Sequence, residues 1–133
     1  MSTDTIEGRY EMVSSENYGE FLKAIGLGLI QRNLAEKAKL NIEITADNGR
    51  WTIRRLTALN NTEINFALGE TFDEYTADGR KVESVVTIDS TRLTHKQTSG
   101  NDEAVTVSEF YPNEMKETYT SKGVTATRVF NRL

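Results

Sequence analysis

A period of two in the hydrophobic pattern begins at Asn41, and it constrains the fold more than any other feature of the chain. Residues 41–46 (NIEITA) and 62–66 (TEINF) alternate apolar and polar side chains, as half-buried strands do. Turn-forming residues separate the short strands: Asp47-Asn48-Gly49, Asn60-Asn61, Asp78-Gly79, Asp89-Ser90, Ser99-Gly100-Asn101, Pro112-Asn113 and Lys122-Gly123. This pattern predicts an antiparallel meander that closes as a barrel or clam.

One segment, residues 14–38, has a helical period instead. Apolar side chains recur there three and four positions apart, at Tyr18, Phe21, Leu22 and Ile25. Ser14 or Ser15 is the expected N-cap, because a hydroxyl oxygen can accept from the free N–H groups of the first turn. Gly26 and Gly28 interrupt the pattern, so we expect a helix-turn-helix of two short helices; one kinked helix is the alternative.

The strands carry arginines where a solid core would not accept them. If Val124, Ala126 and Phe130 face inward, alternation places Arg128 inside as well. The same argument, with Trp51, Ile53 and Leu59 inside, places Arg55 and Thr57 there. Burying an unpaired guanidinium is costly. The sequence therefore predicts a hollow, water-containing interior that suits an anionic ligand.

Composition excludes several classes of function. The 133 residues contain no cysteine and one histidine, which excludes disulfides, thiolate metal sites and imidazole-rich metal sites. A formal net charge of -4 argues against nucleic acid as a partner. Residues 1–8 lack the basic and apolar regions of a signal peptide, so we expect a cytoplasmic protein. No nucleophile stands with a base and an orienting third group, so we expect no catalytic residue, no cofactor and no enzyme.

Several separated motifs resemble the intracellular lipid-binding proteins, the fatty-acid-binding protein family. They follow the family's order along essentially the whole chain, at residues 7–10, 14–18, 21–28, 61–64, 68–82 and 123–130. The resemblance implies an all-β fold, a ten-stranded antiparallel up-and-down β-barrel or β-clam with an N-terminal helix-turn-helix lid. It implies a single lipid-binding domain over residues 1–133, with the lid at about 15–38.

The resemblance also implies where a ligand carboxylate would bind. Many members hold it with two arginines and a tyrosine. Arg128 matches the second arginine, Phe130 stands in place of the tyrosine, and Ser108 replaces the first arginine. Arg128 can still form a bidentate pair with a carboxylate, and Ser108 can add a hydroxyl donor. We predict that Arg55 supplies a second cation from another wall; a solvated arginine at the portal edge is the alternative.

Four further residues are candidates for ligand contact. Tyr18 is expected on the underside of the lid, and Leu59 matches a portal position that is phenylalanine in many members. Gln97 shares a strand face with His95 and is expected to line the cavity, although a surface position for this face is an alternative. Asp78 lies at a turn that the family places near the portal, where its role in the turn is an equally good explanation.

The predicted function is a non-catalytic, monomeric carrier that reversibly binds and transports long-chain fatty acids. A carrier of retinoid, bile acid or another bulky amphipath is one alternative. A ligand-switched interaction module is another, because Lys23, Arg32, Lys37 and Lys39 could contact anionic membranes transiently. Acidic residues are interleaved with these cations, which favours an ordinary solvated face.

Overall fold

The computed structural model describes residues 6–77 and 79–133. Within them lie ten strands and two helices: β1 Gly8–Glu16, α1 Tyr18–Ala24, α2 Leu29–Lys37, β2 Asn41–Asp47, β3 Arg50–Leu56, β4 Asn61–Phe66, β5 Phe72–Tyr75, β6 Lys81–Asp89, β7 Arg92–Ser99, β8 Asp102–Phe110, β9 Glu114–Ser121 and β10 Val124–Arg132. In these two stretches, no helix is long and apolar enough to cross a membrane.

The strands form one antiparallel sheet in the order β4-β3-β2-β1-β10-β9-β8-β7-β6-β5. Each strand pairs with its neighbour along the chain except at β4 and β5, and β1 pairs with β10 to bring the two ends of the sequence together. The predicted all-β clam with a helix-turn-helix lid is therefore confirmed. Strands β4 and β5 are the two sheet edges, and the rings of Phe66 and Phe72 stack between them at 5.5 Å.

Tight turns set the register of this sheet. Asn48 and Gly49 have φ angles of 51° and 80°, and Lys122 and Gly123 have angles of 50° and 77°. Two successive positive φ angles give the turn whose twist matches the strands on either side. These two predicted hairpins are confirmed.

The lid differs from the prediction at its start. Strand β1 runs to Glu16, so Ser14 and Ser15 are paired with β10 and do not cap a helix. Asn17, in the left-handed region at φ 63°, makes the transition into α1 without a side-chain cap. Gly26, at φ 100°, ends the first helical segment, and the alternative of one kinked helix is wrong.

Apolar packing divides into two regions on either side of a polar interior. The larger cluster includes Tyr10, Trp51 and Phe110 and fills one end of the barrel. The smaller cluster joins Phe21 and Leu22 of the lid to Tyr119 and Ala126. The candidate site involves buried polar side chains that belong to neither cluster, among them Arg128, Glu117 and His95.

Candidate ligand-binding site

Two adjoining cavities lie beneath the lid. The first, here called the portal lobe, has a volume of about 270 Å³; α2, the β3–β4 turn, Arg55 and Arg128 line it. The second, the His95 lobe, has about 200 Å³ and includes Glu74, His95, Gln97 and Thr106 in its wall. Six residues line both lobes: Tyr18, Leu27, Ala35, Arg55, Thr62 and Ala77. The shared wall makes the lobes parts of one hollow, in agreement with the predicted interior.

Arg128 lies on the inner face of β10 and is 2% exposed. Its guanidinium carbon is 3.5 Å from the centre of the Tyr18 ring, a cation–π geometry. Its Nε donates to Ser15 Oγ at 3.1 Å, and one Nη donates to the Ala35 carbonyl of α2 at 3.5 Å. No carboxylate of residues 6–77 or 79–133 pairs with this guanidinium. The groups that contact this guanidinium directly are therefore all neutral.

Arg55 also points inward from β3, but its charge is already matched. Nη1 and Nη2 donate to the two carboxylate oxygens of Glu117 at 3.0 and 2.9 Å. Ser108 and Tyr119 donate to the same carboxylate at 2.8 and 2.6 Å, so each oxygen accepts two hydrogen bonds. Glu117 is saturated, and the Ser108 hydroxyl predicted to meet a ligand is engaged inside the protein.

The protonation of Glu117 follows from these contacts. Burial by itself raises the pKa of the carboxyl, but the Arg55 charge and the hydrogen bonds from Arg55, Tyr119 and Ser108 outweigh it. The net result is a pKa below the ordinary value, so Glu117 is ionised. Burial and the nearby Glu117 charge raise the pKa of Tyr119, which keeps its hydroxyl protonated as a donor.

The sequence prediction missed Glu117. It lies on β9 directly opposite Arg128 on one side and Ser108 on the other. The period-two alternation along β9 was the signal available in the sequence. It places four residues on the buried face of the strand: Met115, Glu117, Tyr119 and Ser121. That signal places Glu117 inside without indicating that it would bind Arg55 across the barrel.

A second, partly buried carboxylate, that of Glu74 on β5, lies in the wall of the His95 lobe. Its Oε1 accepts from Ser84 at 2.8 Å and lies 2.9 Å from His95 Nε2, and its Oε2 accepts from Gln97 at 3.1 Å. Burial raises the pKa of Glu74, whereas hydrogen bonds and charge from His95, with Ser84 and Gln97, lower it to a net value below normal. An ionised carboxylate has no proton to donate, so His95 Nε2 carries the hydrogen.

The remaining predicted site residues are less closely grouped. Phe130 is fully buried in the larger apolar cluster and is not part of either lobe's wall. Tyr18 lines both lobes. Leu59 is 61% exposed at the rim of the portal lobe, because β3 ends at Leu56 and the inward alternation assumed for it does not reach that far. Asp78 lies outside the described residues.

Comparison with known proteins places this cavity in context. The model of the lipocalin / cytosolic fatty-acid binding protein family matches residues 7–133. A fatty acid-binding protein of Tyrophagus putrescentiae is 35% identical over 127 residues, which are 96% of this chain and 97% of that protein. Sodium/calcium exchanger regulatory protein 1 of Doryteuthis pealeii is 31% identical and covers 96% of each chain.

A solved structure gives a close spatial match. The Schistosoma mansoni fatty acid binding protein in complex with arachidonic acid superposes with a TM-score of 0.96 at 30% identity. The match covers 100% of this chain and 99% of that one.

Proposed function

Because this chain belongs to the lipocalin / cytosolic fatty-acid binding protein family, we propose that it is a non-catalytic carrier of long-chain fatty acids. The ligand lies in the two lobes with its carboxylate at Arg128, and it is bound and released without chemical change. Relatives described as fatty acid-binding proteins support this proposal, as does the similar structure that holds arachidonic acid. The cytoplasmic location and the monomeric state predicted from the sequence are part of it.

The observation that carries the proposal is the charge balance around the portal lobe. Two guanidinium groups line this lobe, and Glu117 neutralises that of Arg55. Arg128 is left as a buried cation with only neutral partners among the described residues. A buried cation is costly unless an anion compensates it. A fatty-acid carboxylate entering the lobe supplies that anion.

This arrangement gives the head group and the tail different tasks. Burying a methylene contributes about 0.8 kcal/mol, so a chain of about fifteen provides about 12 kcal/mol before ordering costs. Micromolar to nanomolar affinity requires about 8 to 12 kcal/mol. Tail burial therefore provides most of the affinity, while Arg128 selects an acid over a neutral lipid. Arg55 contributes to binding of the ligand carboxylate only if its guanidinium contacts Glu117 and the ligand at the same time.

The preference for an acid over its alcohol tests this assignment. Hydrogen bonds to a charged group contribute about 1.5–3 kcal/mol, so wild-type protein should bind hexadecanoic acid roughly tenfold to a hundredfold more tightly than hexadecanol. The variant Arg128→Met should lose that preference. Arg54→Met is the matched control, because Arg54 lies on the outer face of β3 and pairs with Glu43 and Glu63. Equal binding of both lipids by wild type would refute the role of Arg128.

A ligand-switched interaction module is the second candidate, and the resemblance to an exchanger regulatory protein favours it. Lys23 on α1 is exposed, and Arg32 on α2 is partly exposed, with one Nη donating to the Leu27 carbonyl. If the lid presents these cations to anionic surfaces, hexadecanoic acid should change binding to phosphatidylserine-containing vesicles. The double variant Lys23→Glu, Arg32→Glu should abolish this change. If wild-type protein binds the vesicles with the same affinity with and without hexadecanoic acid, this candidate is refuted.

A further inference from the structure

The interior has two inward-facing carboxylates, the buried Glu117 and the partly buried Glu74, which differ in how completely they are hydrogen-bonded. Both oxygens of Glu117 accept two hydrogen bonds each, from Arg55, Ser108 and Tyr119. Glu74 accepts two at Oε1 and one at Oε2. A carboxylate has about four acceptor positions. The Glu74 carboxylate therefore keeps one position, on Oε2, that the described residues leave open.

The open position belongs to a residue that faces the cavity. Glu74 lines the His95 lobe together with His95 and Gln97, and its side chain retains 10% of its surface. Thr76 and Thr106 add hydroxyl groups to the same wall. Arg128, in contrast, lines the portal lobe and not this one. The portal lobe thus has Arg128 as a cationic recognition point, and the His95 lobe has the hydrogen-bond-accepting carboxylate of Glu74 in a wall that also includes Arg55 and Arg80.

A plain alkyl chain suits the second lobe poorly. It would cover an ionised carboxylate without offering a hydrogen bond to its fourth acceptor position, and removing part of a charged group from solvent without such a bond is unfavourable. A hydroxyl group on the chain would instead donate a charge-assisted hydrogen bond to Oε2. A second carboxylate on the ligand would be repelled by Glu74.

We propose, on the basis of the carrier function above, that Glu74, His95 and Gln97 form a second recognition site for a hydroxyl group borne by the ligand chain away from its carboxylate. The preferred substrate class is then hydroxylated long-chain fatty acids. Oε2 of Glu74 accepts a hydrogen bond from the ligand hydroxyl, while His95 and Gln97 hold the Glu74 carboxylate in place. The ionised state of Glu74 supports this role, since it makes the group a strong acceptor that cannot donate.

Competitive displacement of a fluorescent fatty acid tests the site in wild-type protein. The competitors are hexadecanoic acid and its hydroxy derivatives, with the hydroxyl next to the carboxyl, at mid-chain or at the terminal carbon. At least one of the two remote derivatives should bind about fivefold to tenfold more tightly than the plain acid, and the adjacent derivative should not. Equal affinities for all four acids would overturn the proposal and leave the carrier function intact. Failure of every acid to bind would refute both.

Two further measurements locate the preference. Glu74→Gln keeps the side-chain shape but removes the charge, and it should reduce the preference to within about twofold; circular dichroism checks the fold. Glu63→Gln, on a 52% exposed side chain that pairs with Arg54, is the matched control and should keep the preference.

In wild type, the NMR signal of the Gln97 side-chain amide should shift more with the hydroxy acid than with the plain acid. A preference that survives Glu74→Gln, or identical Gln97 shifts, would place the hydroxyl elsewhere and refute the site.

Discussion

The Arg55–Glu117 pair allows a sharp test of how this interior is stabilised. Glu117 is 2% exposed and Arg55 is 28% exposed, and the two share a bidentate contact. Removing one partner of a buried pair costs about 3–5 kcal/mol, because the other charge is left without compensation. The residual exposure of Arg55 puts the expected cost of Glu117→Gln near the lower end, at about 3 kcal/mol. In either orientation of its amide, the glutamine also directs its NH₂ group at an Arg55 N–H, which cannot accept a hydrogen bond.

Urea unfolding of the ligand-free protein measures this cost. Trp51 is the single tryptophan of the chain and is buried, so its fluorescence reports global unfolding. A domain of this kind is stable by about 5–15 kcal/mol, so a loss of about 3 kcal/mol shifts the midpoint clearly. A cycle with Arg55→Met and the double variant should give a coupling of at least about 2 kcal/mol, since the two removals share one interaction.

A surface pair provides the control for that cycle. Arg92 and Glu109 lie on the neighbouring strands β7 and β8; their nitrogen and oxygen are 3.4 Å apart, and their side chains are 60% and 32% exposed. Solvent screens such a pair, so Glu109→Gln should cost no more than about 0.5 kcal/mol. If Glu117→Gln costs less than about 1 kcal/mol, or if the coupling is near zero, then Glu117 is not the compensating charge and the assignment of Arg128 as the free cation loses its basis.

Two other expectations follow from the same structure. The pKa of Glu74 in the folded protein lies below its ordinary value of 4.5, so the unfolded chain binds more protons near this pH. The free energy of unfolding should therefore fall as the pH drops through and below this value. In urea unfolding measured between pH 6 and pH 3, Glu74→Gln should make the midpoint fall less steeply. Gly123 has a φ of 77°, where a Cβ costs about 1–2 kcal/mol. Gly123→Ala should therefore lower the free energy of unfolding by that amount, whereas Gly28→Ala, at the N-cap of α2 with φ -71°, introduces no left-handed strain and should cost less than Gly123→Ala.

Much of the barrel could be read from local pattern because strands and hairpins are local structures. Alternation predicted β2 from Asn41, and the pairs Asn48-Gly49 and Lys122-Gly123 predicted turns that the φ angles confirm. The end of β1 was misjudged. Ser15 has a suitable side chain for a helix cap, but its pairing with Arg128 across β1 and β10 joins residues 113 positions apart. A local signal cannot detect such a competitor.

The inward faces of Arg55 and Arg128 were determined by the sequence alone, since a period of two fixes which side of a strand each residue occupies. Which of the two has a carboxylate partner was decided by tertiary structure. Only closure of the barrel brings Glu117 within 3.0 Å of Arg55, 62 positions away. It likewise collects Glu74, Ser84, His95 and Gln97 from three strands. Alternation specifies a face, whereas a hydrogen-bond partner depends on distances across the interior that exist only after the sheet has closed.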